Sequence, residues 1–269
     1  MRLAVIADIH GNVLALEAVL ADIARRKADL TIDLGDCVSG PLWPRETFDL
    51  LEKLKLPTVR GNWERLAVRG NHDRVLCDPP EGLGPSDRFA VAELKVASAP
   101  GAWERLAVSV LPPDAAKTLA ALPPTLIPIP GVCACHGTPD NDEAYLLETV
   151  TNGMLELASA AAIAQRLAQV REPLVLCAHS HIPRAVQNGA QVIVNPGSVG
   201  CPAYNDPSAP AHVSETGTPH ARYALLDDSS GTWSVELIAI TYDWARAAER
   251  ARANNRPEWA MALATGRVR

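Results

Sequence analysis

The chain has 269 residues, 48% of them hydrophobic and 21% charged, a balance suited to a globular protein with a sizeable core. Its 25 Lys and Arg against 31 Asp and Glu give a formal charge of -6, which excludes a general basic surface for gripping nucleic acid by its phosphates. An anionic substrate therefore needs local positive charge, which bound metal ions can supply.

The opening stretch MRLAVIADIHGN enters an apolar run at once, without a basic leader or a cleavage site. No uninterrupted apolar stretch approaches the roughly 18 residues needed to span a bilayer. The six cysteines (Cys37, Cys77, Cys133, Cys135, Cys177, Cys201) lack the spacing of a small disulfide framework. A soluble cytoplasmic protein with reduced thiols is expected.

In chain order, Arg2 to Asp8 reads as a strand, Asn12 to Arg26 as a helix and Leu30 to Asp36 as a second strand, a β-α-β opening. A helix from Glu46 to Leu56 leads to LPTV, read as a third strand. This alternation predicts a layered α/β fold, in which ligands sit beyond the carboxyl ends of strands. Residues 77 to 130, broken by Pro79-Pro80, Pro112-Pro113 and Pro123-Pro124, read as a helical insert within a single domain spanning 1 to 269. Strands resume at Gly131 to Cys135, Leu174 to Cys177, Gln191 to Val194, Ala221 to Leu226 and Trp233 to Ile240, and a helical tail follows from about 243 to 269. WERLAV occurs at Trp63 and again at Trp103; two copies are too few for a solenoid and read as a local duplication.

Five of the seven histidines fall in expected strand-end loops beside Asp or Gly: DIH at Asp8 to His10, GNHD at Gly70 to Asp73, HG at His136, and AHSH at Ala178 to His181. A lone histidine is more often structural, but the ordered set supplies imidazole, carboxylate and amide oxygen. That mixture suits Mn, Fe, Ni, Co or Zn better than Ca or purely oxygen-ligated Mg. Two such ions can clamp a phosphoryl group and generate hydroxide at neutral pH. Asp36, ending a strand between the other groups, is the natural bridging carboxylate, and Gly35 before it permits a tight turn.

Together Asp8-x-His10, Gly35-Asp36, Gly70-Asn71-His72-Asp73, His136-Gly137 and His179-x-His181 resemble the calcineurin-like metallophosphoesterase superfamily over roughly residues 1 to 200. GDCVSGP, HGTPDNDEAYL and VNPGSVGCP resemble more narrowly its small bacterial phosphodiesterase branch of the YfcE type. The resemblance implies a four-layer α/β/β/α sandwich and a dinuclear centre of divalent transition metals, Mn favoured. One ion would be held by Asp8, His10, Asp36 and His181, the other by Asp36, an asparagine, His136 and His179. His72, oriented by Asp73, would assist the leaving group after attack by metal-bound hydroxide.

RGN occurs twice, at Arg60 to Asn62 and at Arg69 to Asn71. Asn62 is the better placed by strand geometry, but Trp63 after it can neither transfer a proton nor charge near neutrality, whereas His72 after Asn71 can do both. Asn71 is therefore the expected ligand. Two departures from the family pattern matter: Ala178 replaces a common glycine, and no arginine follows Asp36, which disfavours a dedicated protein phosphatase and leaves substrate anchoring to the metals, His72 and Asn12. Cys133, Cys135 and Cys177 read as buried apolar residues rather than a zinc site. Asp140, Asp142 and Glu143 read as a solvated loop.

The expected function is hydrolysis of phosphate esters, foremost phosphodiesters. Diadenosine polyphosphate hydrolysis and phosphomonoesterase activity are the alternatives within the class, and a non-catalytic interaction module, like the retromer subunit of similar fold, is the alternative outside it. The expected partner is a small phosphate ester, nucleotide-derived ones included, and neither bulk nucleic acid nor membrane. Specificity is expected in the 77 to 130 insert and the 200 to 220 loop.

Overall fold

A computed structural model describes residues 1–64 and 109–269, apart from Pro113 and Ala168. Asn71, His72, Asp73, most of the expected insert and most of the WERLAV pair lie outside the described residues.

The opening β-α-β unit forms as the apolar spacing predicts: β1 (Arg2–Ile6), α1 (Val13–Arg26) and β2 (Leu30–Asp33), with β1 and β2 parallel. Residues alternate along β1. Leu3 and Val5 enter one buried cluster, while Ala4 and Ile6 enter another with Leu16, Val19 and Ile23 of α1. Helix α2 (Pro44–Leu54) begins on a proline, whose fixed φ suits a first turn. LPTV makes only a single parallel bridge from Thr58 to Asp33 rather than a strand. Pro57 has no N–H to give a ladder, and its carbonyl accepts from Asp33 N at 3.0 Å.

The second half contains α3 (Ala115–Ala120), β3 (Thr125–Ile129), β4 (Val132–Cys135), β5 (Glu148–Thr151), β6 (Met154–Leu157), α4 (Ala160–Arg166) and β7 (Leu174–Leu176). It continues with β8 (Arg184–Asn188), β9 (Gln191–Asn195), β10 (Ala203–Asp206), β11 (His212–Glu215), β12 (Ala221–Asp227), β13 (Ser234–Ile240), α5 (Trp244–Ala253) and α6 (Pro257–Thr265). One sheet has the order β13-β12-β1-β2, a second β3-β4-β7-β9-β8, and a third, smaller one β10-β11-β6-β5. The stretch expected as a helical insert up to residue 130 thus ends in a strand. Thr125–Ile129 pairs with β4 at the edge of the second sheet, where Pro128 is tolerated beside a register shift between Leu126 and Ile129.

The first two sheets share one apolar cluster, with Leu3, Val5, Ile32, Ala224 and Leu226 from the first and Val132, Ala134, Leu174, Leu176 and Val194 from the second. On the far face of the second sheet Cys133, Cys135, Val175 and Ile193 pack with Ile163 of α4. The tail helices α5 and α6 meet Leu42 through Ala247, Ala248, Ala251, Ala260 and Leu263. No helix among the described residues is long and apolar enough to cross a membrane.

Parallel pairing fixes where the chemistry falls. β1 and β2 run parallel in the first sheet, and β4, β7 and β9 in the second, so their carboxyl ends point one way within each sheet. Asp8 and His10 follow β1, Asp36 follows β2, His136 follows β4, and His179 and His181 follow β7. This is the strand-end placement at which open α/β sheets bind ligands.

Candidate metal centre

Six of the expected site residues converge. Asp8, His10 and His181 form one group and Asp36, His136 and His179 another, with the ligand-type atoms of each group within 4.8 Å of one another. The strand-end loops are bent sharply to achieve this. Of nine non-glycine residues with positive φ among the described residues, five are Asp8 (53°), His10 (50°), Asp36 (57°), His179 (68°) and His181 (59°). Side chains in the left-handed region cost of order 1–3 kcal/mol each and persist where the surroundings over-determine them, typically at functional sites. Ala178 is not among them, so the alanine in place of glycine is accommodated without a strained φ.

Asn62 joins the second group. It is buried, and its Oδ1 lies 3.1 Å from His136 Nε2. The turn that brings it there is shared with Asp36: Trp63 N donates to Asp36 Oδ1 at 3.1 Å. Gly35 has φ 92°, and a Cβ on it would lie 2.4 Å from Gly61 N, so only glycine lets the two loops touch.

Glu64 holds that junction together. Its buried carboxylate accepts from Asp36 N (2.9 Å), Cys37 N (2.7 Å) and Gly61 N (2.9 Å). Burial, then the Asp36 charge, push its pKa up to about 7 against the opposing backbone bonds. Glu64→Ala would leave three buried N–H groups without an acceptor, at about 1–3 kcal/mol for each group that stays unpaired. A loss of about 3 kcal/mol or more in urea unfolding is expected, with Glu64→Gln intermediate; a variant within 0.5 kcal/mol of the parent, about the scatter of neutral surface changes, would contradict the role.

Each imidazole is tied at its outer nitrogen. His136 Nδ1 donates to Leu34 O (2.8 Å), His181 Nδ1 to Cys201 O (2.7 Å) and His179 Nε2 to Glu143 O (3.1 Å), because a carbonyl can only accept. His10 Nδ1 pairs with Ser39 Oγ at 2.8 Å. The inner nitrogens then face the carboxylates and one another: His10 Nε2 and His181 Nε2 are 3.2 Å apart, and His136 Nε2 is 3.4 Å from Asp36 Oδ2. Such outer bonds select the tautomer and aim the lone pair, as the hydrogen-bond partners of metal-bound histidines do.

The charges are arranged for a cation. Asp8 is fully buried, and neither of its carboxylate oxygens has a hydrogen-bond partner among the described residues, a costly state without positive charge beside it. Burial would raise the pKa of Asp8, but His181, His136 and His10 outweigh it and hold the carboxyl below its usual range. Burial likewise opposes charge on His136, yet the Asp36 charge and hydrogen bond, with Asp8, hold it up at about 10. His181 is held up by Asp8 against its burial. Burial and a neighbouring imidazole push His10 and His179 down to about 4. Two imidazoles thus gather protons beside two carboxylates, at the positions where divalent ions would displace them. Imidazole, carboxylate and amide donors are a fitting set for Mn, Fe, Co, Ni or Zn.

Other expectations resolve locally. Asn12 is spent on structure: its Oδ1 caps Ala15 N (3.2 Å), and its Nδ2 donates to Gly200 O and Tyr242 OH, both at 3.1 Å. That leaves it no amide group to anchor substrate. Cys37, Cys133, Cys135, Cys177 and Cys201 are buried free thiols. Asp140 and Glu143 are exposed, but the Glu143 carbonyl orients His179. Ser39 lies within GDCVSGP, and Glu64 closes Gly61-Asn62-Trp63-Glu64, a copy of the GNH(D/E) pattern that lacks its histidine; neither carries a role legible from sequence alone.

The chain belongs to the calcineurin-like phosphoesterase superfamily, whose domain matches residues 1–216, and is a phosphoesterase-class enzyme. It is 26% identical over 278 residues to the uncharacterised protein MJ0912 of Methanocaldococcus jannaschii, covering 96% of this chain and 94% of that one. Its fold is similar to that of a metallophosphoesterase from Sphaerobacter thermophilus, at a TM-score of 0.71, 24% identity and coverage of 99% and 100% of the two chains. Protein PH1004 from Pyrococcus horikoshii superposes with a TM-score of 0.72, 22% identity and coverage of 99% and 98%. These likenesses establish the α/β metallophosphoesterase fold.

Proposed function

We propose that the chain is a metal-dependent phosphodiesterase that works on small phosphate esters with a dinuclear centre. Asp8, His10, Asp36 and His181 would hold one divalent ion, and Asp36, Asn62, His136 and His179 the other. The carrying observation is the pair of facing donor groups around Asp8, whose two buried oxygens have no hydrogen-bond partner among the described residues. Asn62 replaces Asn71 in this set because its oxygen already lies beside His136, 3.1 Å from Nε2.

Two bound ions would supply Lewis acidity toward a phosphoryl group and activate water for attack at neutral pH. The protein's part is to aim and hold. Leu34, Ser39, Glu143 and Cys201 orient the imidazoles, and Glu64 locks the Asp36 turn against the Asn62 turn. Leaving-group assistance is assigned to His72 with Asp73; its support is the GNHD motif alone, and an imidazole is the side chain best able to give a proton near neutrality.

Removal of metal tests this reading. Exhaustive chelation is expected to abolish hydrolysis of bis(p-nitrophenyl) phosphate, and Mn, Ni or Co to restore it better than Mg. The unfolding midpoint should rise again with metal, since an ion at 100 times its Kd adds about 2.7 kcal/mol per site. Full activity in protein shown to retain no metal would sink the proposal.

A further inference from the structure

The loop from Ala178 to His181 delivers one histidine to each candidate metal group, and its backbone is captured carbonyl by carbonyl. Asn195 Nδ2 donates to Ala178 O at 3.0 Å, Tyr204 OH to His179 O at 3.3 Å, and Ser214 Oγ to Ser180 O at 2.6 Å. Tyr204 and Ser214 come from β10 and β11, two strands of the small third sheet. That sheet packs its polar residues on the loop, so the 200 to 220 segment is a platform rather than an open loop.

Two aromatic rings complete the grip. Tyr145 stacks on His179 with centroids 4.8 Å apart at 25°, and Tyr204 meets His181 edge-on at 4.7 Å and 71°. Their hydroxyls are 2.8 Å apart, and Tyr145 OH is 2.7 Å from Nε2 of buried His212 on β11. His212 Nδ1 lies 2.8 Å from Pro210 O, which can only accept, so Nδ1 carries the proton. In the neutral ring Nε2 is then an acceptor, and Tyr145 OH donates its hydrogen bond to it. With its O–H directed to His212, Tyr145 is the acceptor in its contact with Tyr204, so the single Tyr204 proton is shared between Tyr145 Oη and the His179 carbonyl. The three residues form one ordered chain whose end is the metal loop.

We propose that Tyr145, Tyr204 and His212 are positioning residues for the metal centre: they hold the rings of His179 and His181, one from each donor group, at the orientation and spacing the two ions require. This rests on the dinuclear reading above. Outer partners of metal ligands of this kind are typically worth 10–100-fold in metal affinity. Because the three residues act as one chain, their losses should not add.

The test is calorimetric titration of the chelated full-length protein with Mn, alongside unfolding of the metal-free forms. Tyr145→Phe, Tyr204→Phe and His212→Leu are each expected to weaken at least one Mn site about 10–100-fold. The Tyr145→Phe/His212→Leu double variant should lose little more than either single one. His212→Gln, whose amide oxygen can accept the Tyr145 proton, should recover most of the loss. Wild-type protein that binds two ions, with variants that bind as tightly, would overturn this assignment alone. Additive losses that follow the metal-free unfolding midpoint, with no rescue by Gln, would overturn it in favour of a merely structural role. Wild-type protein that binds no ion would overturn the dinuclear reading and this assignment with it.

Discussion

Asp36→Asn is expected to empty both donor groups together and to lower phosphodiester turnover by at least about 10²-fold, the upper end for losing a mere outer partner of a ligand. Asp36 is buried, and its Oδ2 lies 3.4 Å from His136 Nε2 in one group and 3.9 Å from His10 Nε2 in the other. Asparagine keeps the shape and the Oδ1 contact with Trp63 N but removes the negative charge that both groups share. Asp8→Asn, by contrast, should weaken mainly the group containing His10 and His181, since Asp8 Oδ1 is 3.4 Å from His181 Nε2 and 3.9 Å from His136 Nε2. Metal content by elemental analysis, read beside turnover, separates the two. An Asp36→Asn protein that keeps two ions would show that no carboxylate bridge operates.

Asn62→Ala should remove one of two ions and cost at least about 10²-fold in turnover, by the same comparison with an outer partner. Asn71→Ala should keep both ions. The expectation reverses the order suggested by the adjoining His72, and its ground is position: Asn62 is buried with Oδ1 at 3.1 Å from His136 Nε2. Metal stoichiometry of both variants decides between them. An Asn71→Ala protein with one ion and an Asn62→Ala protein with two would return the ligand to the second RGN.

The candidate donors on strand ends were legible because a parallel strand, a tight turn and a polar side chain occupy adjacent positions, as in Gly35-Asp36 after Leu30–Asp33. The two RGN copies could not be ranked by the same means. The chemistry of a following residue argued for Asn71, whereas the reach of the chain from Thr58 argued for Asn62, and the close approach of Gly35 and Gly61, with the Trp63 and Glu64 bonds, brings the latter beside Asp36. Tyr145, Tyr204 and His212 were invisible for another reason. They are 59 and 67 positions apart, counted from Tyr145, and meet through a short third sheet whose four-residue strands carry no clear alternation. The TLIPI strand was hidden by its proline, which the edge of a sheet accepts.

The pairing of donors around two ions is tested most directly by anomalous scattering from crystals grown with Mn. Two peaks are expected, one in contact with Asp8, His10 and His181, the other with Asn62, His136 and His179, and Asp36 touching both. A single peak, or peaks away from these side chains in protein that hydrolyses phosphodiesters at full rate, would contradict the dinuclear centre.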